Sequence, residues 1–443
     1  MEVLAFIGVI ESDVHMLTMA ARMALSAAHC EYWSESIIGT MAGTTWHHRS
    51  FAEEVNCAAC GLVLDWAGSV LTPHAKQLIR DAIIMKGLPR IESDFKRTEY
   101  IRHMNQGIVF SKGPIIGTLS LLPAHPRYSS LIDEAEKDLH EMIDSYVHPD
   151  GGTLEEIAYW SYTFSSVMPL AYALARYRGK NLSQYATDSL CKTGDYGLGM
   201  MSTAGAGNTY LAVNDAHGDR SYPPGLLAAY CRLSDREEWR TLYNLAMLEP
   251  SEAADIYHLI MAPREQMPES ISEAQKPRFD VFPDVGQLSS VRRLESGALS
   301  HLHLCSGPTY GGHYHEDKGG IIIEAGGEPL AIDRGVTDYH HPEVNLIGMA
   351  SRHNIVYPES PDGRFIEQPP NAKGGILTSW KRIGELVLAC SDNLEAWESG
   401  VFTYNMRRIL SPSADLIIEP THKLLLAAGA DCILELAAMF CAQ

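Results

Sequence analysis

Residues 311–335 read GGHYHEDKGGIIIEAGGEPLAIDRG. Within them, GIIIEAGGEPLAID (320–333) is the strongest hairpin signal in the chain. An apolar run meets a Gly-Gly pair, which suits the positive φ of a two-residue turn, and a second run follows. Pairing across Gly326-Gly327 sets Asp333 opposite Gly320, with His313 and His315 on the approach to the first strand. The hairpin thus brings His315 and Asp333 to one end of a sheet. His313 and His315 are two apart, so an extended backbone points both the same way, one toward a metal and the other toward a substrate. His353, in Ser351-Arg352-His353-Asn354, is a third candidate. Two imidazoles and one carboxylate, with an open position, form a donor set suited to Zn²⁺. The bland alternative is a polar loop, since His301, His303, His340 and His341 crowd the same region of a chain with 19 histidines.

Working outward, residues 287–443 contain further short β-like runs (SSVRRL, ALSHLHLC, GILTSWKRI, ELVLAC, TYNMRRIL, DLIIEP) bounded by Gly, Pro, Asn and Asp. That texture predicts an antiparallel sandwich. The last segment, HKLLLAAGADCILELAAMFCAQ, reads as helical or as a poor sandwich edge. Residues 263–286 hold several prolines and little periodicity, and read as a linker.

Residues 1–262 read as helical. Thr72-Pro73 supplies an N-cap and a first-turn proline, with Gly87 as a stop. Residues 129–148 place Leu131, Ala135, Leu139, Met142 and Tyr146 on one apolar face. Residues 159–177 form another helix, with Pro169 a kink. The architecture expected is α+β and multidomain: a helical domain, a linker and a β-sandwich.

The chain has 443 residues and a formal charge of −20, with 46% hydrophobic and 20% charged residues. That composition is globular. An acidic chain lacks the basic footprint of a nucleic-acid binder, although a locally basic cleft could still take an anion. Nine cysteines, odd in number and scattered, read as reduced thiols, and Cys57-x-x-Cys60 reads as helix packing. The N-terminus lacks a basic region and a cleavage site, and no stretch approaches the ~20 apolar residues of a membrane span. A soluble, cytoplasmic protein with no membrane partner is expected from the chain as written. A longer N-terminus carrying a leader would make it periplasmic or secreted. Ala204-Gly205-Ala206-Gly207-Asn208 lacks a phosphate-loop lysine and reads as a loop. Arg407-Arg408 reads as a solvated strand face.

The opening stretch, followed by DYHHPEVNLIGMASRHNIVYP (338–358), resembles the C-terminal signature of heparinase II/III-like polysaccharide lyases. Three helical segments resemble the same family: LVLDWAGSVLTPHAKQLIRDAI, HMNQGIVFSKGPIIGTLSLL and PDGGTLEEIAYWSYTFSSVMPLAYALARY. The likeness covers most of residues 55–360. It implies an incomplete α/α toroid followed by an antiparallel β-sandwich, and β-elimination on an acidic polysaccharide of the alginate or heparin/heparan type.

The resemblance also implies roles. Asn105 would bind the uronate carboxylate, with Gln106 standing where the family often has His, able to donate but not to act as a base. Tyr162 is the first choice for the proton-transfer tyrosine and Tyr159 the second. An unperturbed Tyr has a pKa of ~10, so the base needs nearby positive charge or a proton acceptor, and Arg102 or Arg352 could supply charge. His313 would face substrate, and Tyr339 is another acid. His315, Asp333 and His353 match the ligands of a structural zinc, with Asp317 orienting its neighbours. Two other readings stand beside this one. A glycoside hydrolase would need two carboxylates about one sugar, for which Glu155, Glu156 and Asp65 are available. A non-catalytic zinc-containing relative would bind acidic glycan without turnover.

Overall fold

Helices fill the first half of the chain. This computed structural model describes residues 1–33, 50–205, 207–217, 220–248, 256–263, 276–309, 312–336, 339–370, 372–414, 416–426 and 433–441. Thr72 caps as expected, its Oγ1 accepting from Ala75 N at 3.2 Å. Gly87 does not stop the helix. Helix Pro73–Ala82 runs through a π-helical turn, Ile83–Gly87, into Leu88–Arg97. The glycine serves packing instead, because a Cβ there would lie 2.0 Å from Cys57 Sγ. Cys57 and Cys60 are free and fully buried in helix Phe51–Trp66.

Helix Ser129–Tyr146 buries Ile132, Leu139, Met142, Ile143 and Tyr146, while Leu131 is 39% exposed. Its buried stripe is therefore rotated slightly from the expected one. Helix Glu156–Tyr177 carries the largest core, with Trp160 fully buried and stacked on Tyr230. Among the described residues, no helix is long and apolar enough to cross a membrane.

The second half forms two five-stranded antiparallel sheets. The first runs in order β1 (Arg278–Phe282), β2 (Gln287–Arg293), β3 (Leu299–Cys305), β4 (Gly320–Ala325), β5 (Glu328–Ala331). The second comprises β6 (Ile376–Ile383), β7 (Leu386–Asp392), β8 (Phe402–Ser413), β9 (Leu416–Leu426) and β10 (Ile433–Cys441), also in sequence order. Leu288, Leu302, Leu304, Ile321 and Ile323 of the first sheet share one core cluster with Leu377, Val387, Ala389 and Ile409 of the second.

Three expectations are corrected here. β1 lies inside the stretch read as a linker, part of which falls outside the described residues. The C-terminal segment read as helical or as a poor sandwich edge supplies, in its described residues, the end of β9 and all of β10, which pair with each other. The hairpin pairs as expected at Ala325↔Glu328 and Glu324↔Pro329, but a bulge then pairs Ile323 with Ala331, so the expected register does not persist to Asp333.

The two halves are tied by polar contacts, near the surface at Asp150 and buried at Glu324. Asp150 Oδ2 accepts from the backbone N–H groups of Asp284 and Val285 at 2.6 and 3.3 Å. Glu324 on β4 accepts from Ser202 Oγ at 2.6 Å and from Thr203 N and Oγ1 at 2.5 and 2.8 Å. Burial alone would raise the Glu324 carboxyl, but His301 and these donors bring it down to about 2. Its pairing therefore stabilises the fold above the ordinary value of 4.5, and that stability is lost as pH falls toward about 2. Glu324→Ala strands the Ser202 and Thr203 donors and is expected to cost about 2–4 kcal/mol, read by urea unfolding at neutral pH. A loss below about 0.5 kcal/mol would show that the contact does not tie the halves.

Candidate active site and metal-binding cluster

The site forms where the loop before β4 meets helix Glu156–Tyr177 and the loop carrying Asn214 and Asp215. His313 adopts φ 61°, in the left-handed region that few non-glycine residues occupy. Its ring stacks on Tyr159, with centroids 3.6 Å apart and planes at 13°. Its Nδ1 lies 2.7 Å from Asp215 Oδ2. Tyr339 donates to the same Oδ2 at 2.7 Å, and its hydroxyl also meets Tyr159 Oη at 2.8 Å and His313 Nδ1 at 3.2 Å. One hydrogen-bonded chain thus links Tyr159, Tyr339, His313 and Asp215.

The electrostatics follow from burial and from these partners. Burial and the Asp215 charge both raise the Tyr339 phenol. Burial likewise raises Tyr159, opposed by its bond to Tyr339. Burial alone would raise Asp215, but hydrogen bonds from His313 and His315 hold its carboxyl well below the usual range.

Asp215 also reaches the second histidine of the pair, its Oδ1 lying 3.1 Å from His315 Nε2. His315 is buried, and its backbone N–H donates to Asn214 Oδ1 at 2.8 Å. His315, Asp333 and His353 each offer a ligand atom, and these atoms lie within 4.8 Å of one another. His353 Nδ1 is 2.8 Å from Asp333 Oδ2. His315 Nδ1 and His353 Nε2 are buried with no hydrogen-bond partner among the described residues. A buried imidazole nitrogen without a partner is costly, and a metal ligated there would relieve it. Two imidazoles and one carboxylate, with Asp215 behind His315, match the donor set and outer support of a zinc site. These three residues could hold such an ion.

Asn105 is 3% exposed, and its amide and backbone N–H both engage the Glu155 carboxylate. Glu155 also abuts the histidine loop, since a Cβ on Gly312 would lie 2.8 Å from its Oε1. Asn105 and the histidine loop thereby both lie against one carboxyl. Gln106 is buried beside Asn105, its Oε1 without a partner among the described residues.

The other expected residues lie further out. Tyr162 is 45% exposed, its ring centroid 6.0 Å from that of Tyr159, and partial desolvation raises its phenol to about 12. The structure therefore brings Tyr159, not Tyr162, into the hydrogen-bonded cluster. The Arg102 guanidinium is taken by Asp138 at 2.9 Å and Glu141 at 3.6 Å. Arg352 is exposed on the 3-10 turn beside His353.

Asp317 pairs with Lys318 at 2.7 Å, both fully enclosed, beneath the histidine loop. Arg407 is no solvated residue. It is 5% exposed and donates to the carbonyl oxygens of Gly319 and, at 2.8 Å, Asn354. Arg408 is exposed as expected. Glu155 and Glu156 diverge, the latter accepting from Gln287 at 2.9 Å, and Asp65 is exposed on another helix. They do not form a pair about one open site. Asp215 is the residue that reading the sequence missed.

No protein-family model matches this sequence, and no characterised protein matches it by sequence. Solved structures do match. A heparinase III with methylated lysines aligns at TM-score 0.59 and 14% identity, over 84% of this chain and 52% of its own. A mutant heparan sulfate lyase, HepC from Pedobacter heparinus, aligns at TM-score 0.54 and 13% identity, over 82% of this chain and 53% of its own. The chain thus shares an α+β fold with heparinase-type polysaccharide lyases and spans about half the length of these structures.

Proposed function

We propose that this chain is a polysaccharide lyase that cleaves a uronic-acid glycan by β-elimination. Its helical half would form an incomplete α/α toroid and its sheets a β-sandwich. The observation that carries the reading is the Tyr159–His313 stack, closed by Tyr339 and Asp215 and set beside Asn105. Substrates of the heparin/heparan or alginate type fit it, because the chemistry needs only a uronate carboxylate next to a proton at C5.

Asn105, with Gln106 beside it, binds the uronate carboxylate and withdraws charge, which makes the C5 proton more acidic. His313, with Nδ1 held by Asp215, takes that proton on Nε2. The C4–O4 bond breaks as the C4=C5 double bond forms. Tyr159 gives its proton to O4. After product leaves, His313 loses its Nε2 proton to solvent and Tyr159 regains one from solvent, while the Tyr339 hydroxyl stays hydrogen-bonded to Tyr159 and holds it in place. No water is consumed.

His315, Asp333 and His353 would hold a zinc ion. When bound, it supplies structural cross-linking between the histidine loop, the segment after β5 and the turn at His353. These residues fix the loop that carries His313 in its strained conformation.

Two results check this account. Tyr159→Phe should lower kcat by about 10³-fold while Tyr162→Phe stays within about threefold, read by absorbance of the new double bond. The reverse order of effects would transfer the role to Tyr162. His315→Ala and Asp333→Ala should each lose bound zinc by elemental analysis and melt at lower temperature. Unchanged zinc content in both would remove the metal assignment.

A further inference from the structure

Glu155 is 2% exposed and immediately precedes helix Glu156–Tyr177. It receives three hydrogen bonds from one residue. Asn105 donates from its backbone N–H to Oε2 at 2.9 Å, and from Nδ2 to Oε1 and Oε2 at 2.9 and 3.0 Å. The groups around the carboxyl come from several elements. Tyr146 reaches it from the end of helix Ser129–Tyr146, His313 from the histidine loop, and Tyr159 from one turn along the following helix. His103 and His148 line, together with Glu155, a cavity of about 330 Å³. Glu156 turns away toward Gln287 and Cys305.

This arrangement creates a conflict of charge. A uronate carboxylate bound by the Asn105 amide sits one amide group away from the Glu155 carboxyl. Two carboxylates so close in a buried site repel strongly, and one of them takes up a proton. We propose that Glu155 is a positioning residue that presents the Asn105 amide to the substrate carboxylate while it carries a proton, and weakens uronate binding when it loses that proton. The proposal rests on the role given to Asn105 above.

Burial raises the Glu155 carboxyl, against the lowering effect of the His313 charge and of hydrogen bonds from Asn105 and Tyr146. A raised value keeps the protonated form above the range of an exposed carboxyl, and it is lost as pH rises, so affinity falls in that direction. A protonated Glu155 still accepts from Asn105 through its carbonyl oxygen.

The test is calorimetric binding of two probes: a tetrasaccharide of alternating glucuronic acid and N-acetylglucosamine, and a mannuronate tetrasaccharide. The wild-type Kd for a probe that binds should rise about tenfold from about pH 5.5 to about pH 8.5, Glu155→Gln should change by less than about twofold, and Glu155→Asp should keep the rise. An equal rise in wild type and Glu155→Gln overturns the proposal. Wild type alone decides the matter if Glu155→Gln does not fold. Its affinity for the carboxyl-reduced form of the same sugar should be flat with pH, and a rise equal to that for the acidic sugar overturns the proposal. Elimination is followed in parallel by absorbance. Turnover with the same pH dependence of binding in both proteins removes the role of Glu155 and leaves the lyase reading intact. A wild type that neither binds nor eliminates removes both.

Discussion

Asp215 divides its carboxylate between two histidines, with Oδ2 at 2.7 Å from His313 Nδ1 and Oδ1 at 3.1 Å from His315 Nε2. One side chain of the helical half therefore orients both imidazoles of the His-x-His pair. It fixes the tautomer of each, because a carboxylate accepts only from the nitrogen that carries hydrogen. His313 is left with Nε2 for the proposed proton transfer, and His315 with a buried Nδ1 that has no hydrogen-bond partner among the described residues. The same carboxylate takes the Tyr339 hydroxyl and so extends the chain to Tyr159. The proposed chemistry and the proposed metal cluster share this one anchor.

Backbone strain concentrates around it. Of the four non-glycine residues with positive φ among those described, three are Glu156, Asn214 and His313. Each sits next to or within a contact of the candidate site: Glu156 follows Glu155, Asn214 precedes Asp215 and accepts from His315, and His313 stacks on Tyr159. Left-handed conformations at such residues persist only where surrounding contacts over-determine them. Such contacts are present: Gln287 on Glu156, the His315 backbone on Asn214, and Asp215 with Tyr159 on His313.

Much of this was legible in the sequence, for identifiable reasons. The Gly-Gly turn sets the inner hairpin pairs, and both strands lead toward His315 and Asp333, so their proximity survives the bulge after Glu324. The helical half and the strand runs followed from periodicity and turn residues. Asp215 was not legible because it lies in a loop whose partners are about 100 residues away, with no motif around it. Tyr159 and Tyr162 are three apart on one helix, and a pattern of apolar residues does not rank two neighbours on the same side. DLIIEP was read as a strand, but the end of β9 and β10 were misread because Ala- and Leu-rich runs favour helix locally, whereas pairing with β8 and with each other decides their state.

The central claim is elimination rather than hydrolysis or simple binding. The most direct measurement incubates the folded protein with heparan sulfate, alginate, hyaluronan and chondroitin, following ultraviolet absorbance and reducing ends together. The account predicts that on at least one of these glycans absorbance from a C4=C5 double bond rises in step with the new reducing ends. Reducing ends without that absorbance, or binding of a glycan with no product of either kind, would contradict it.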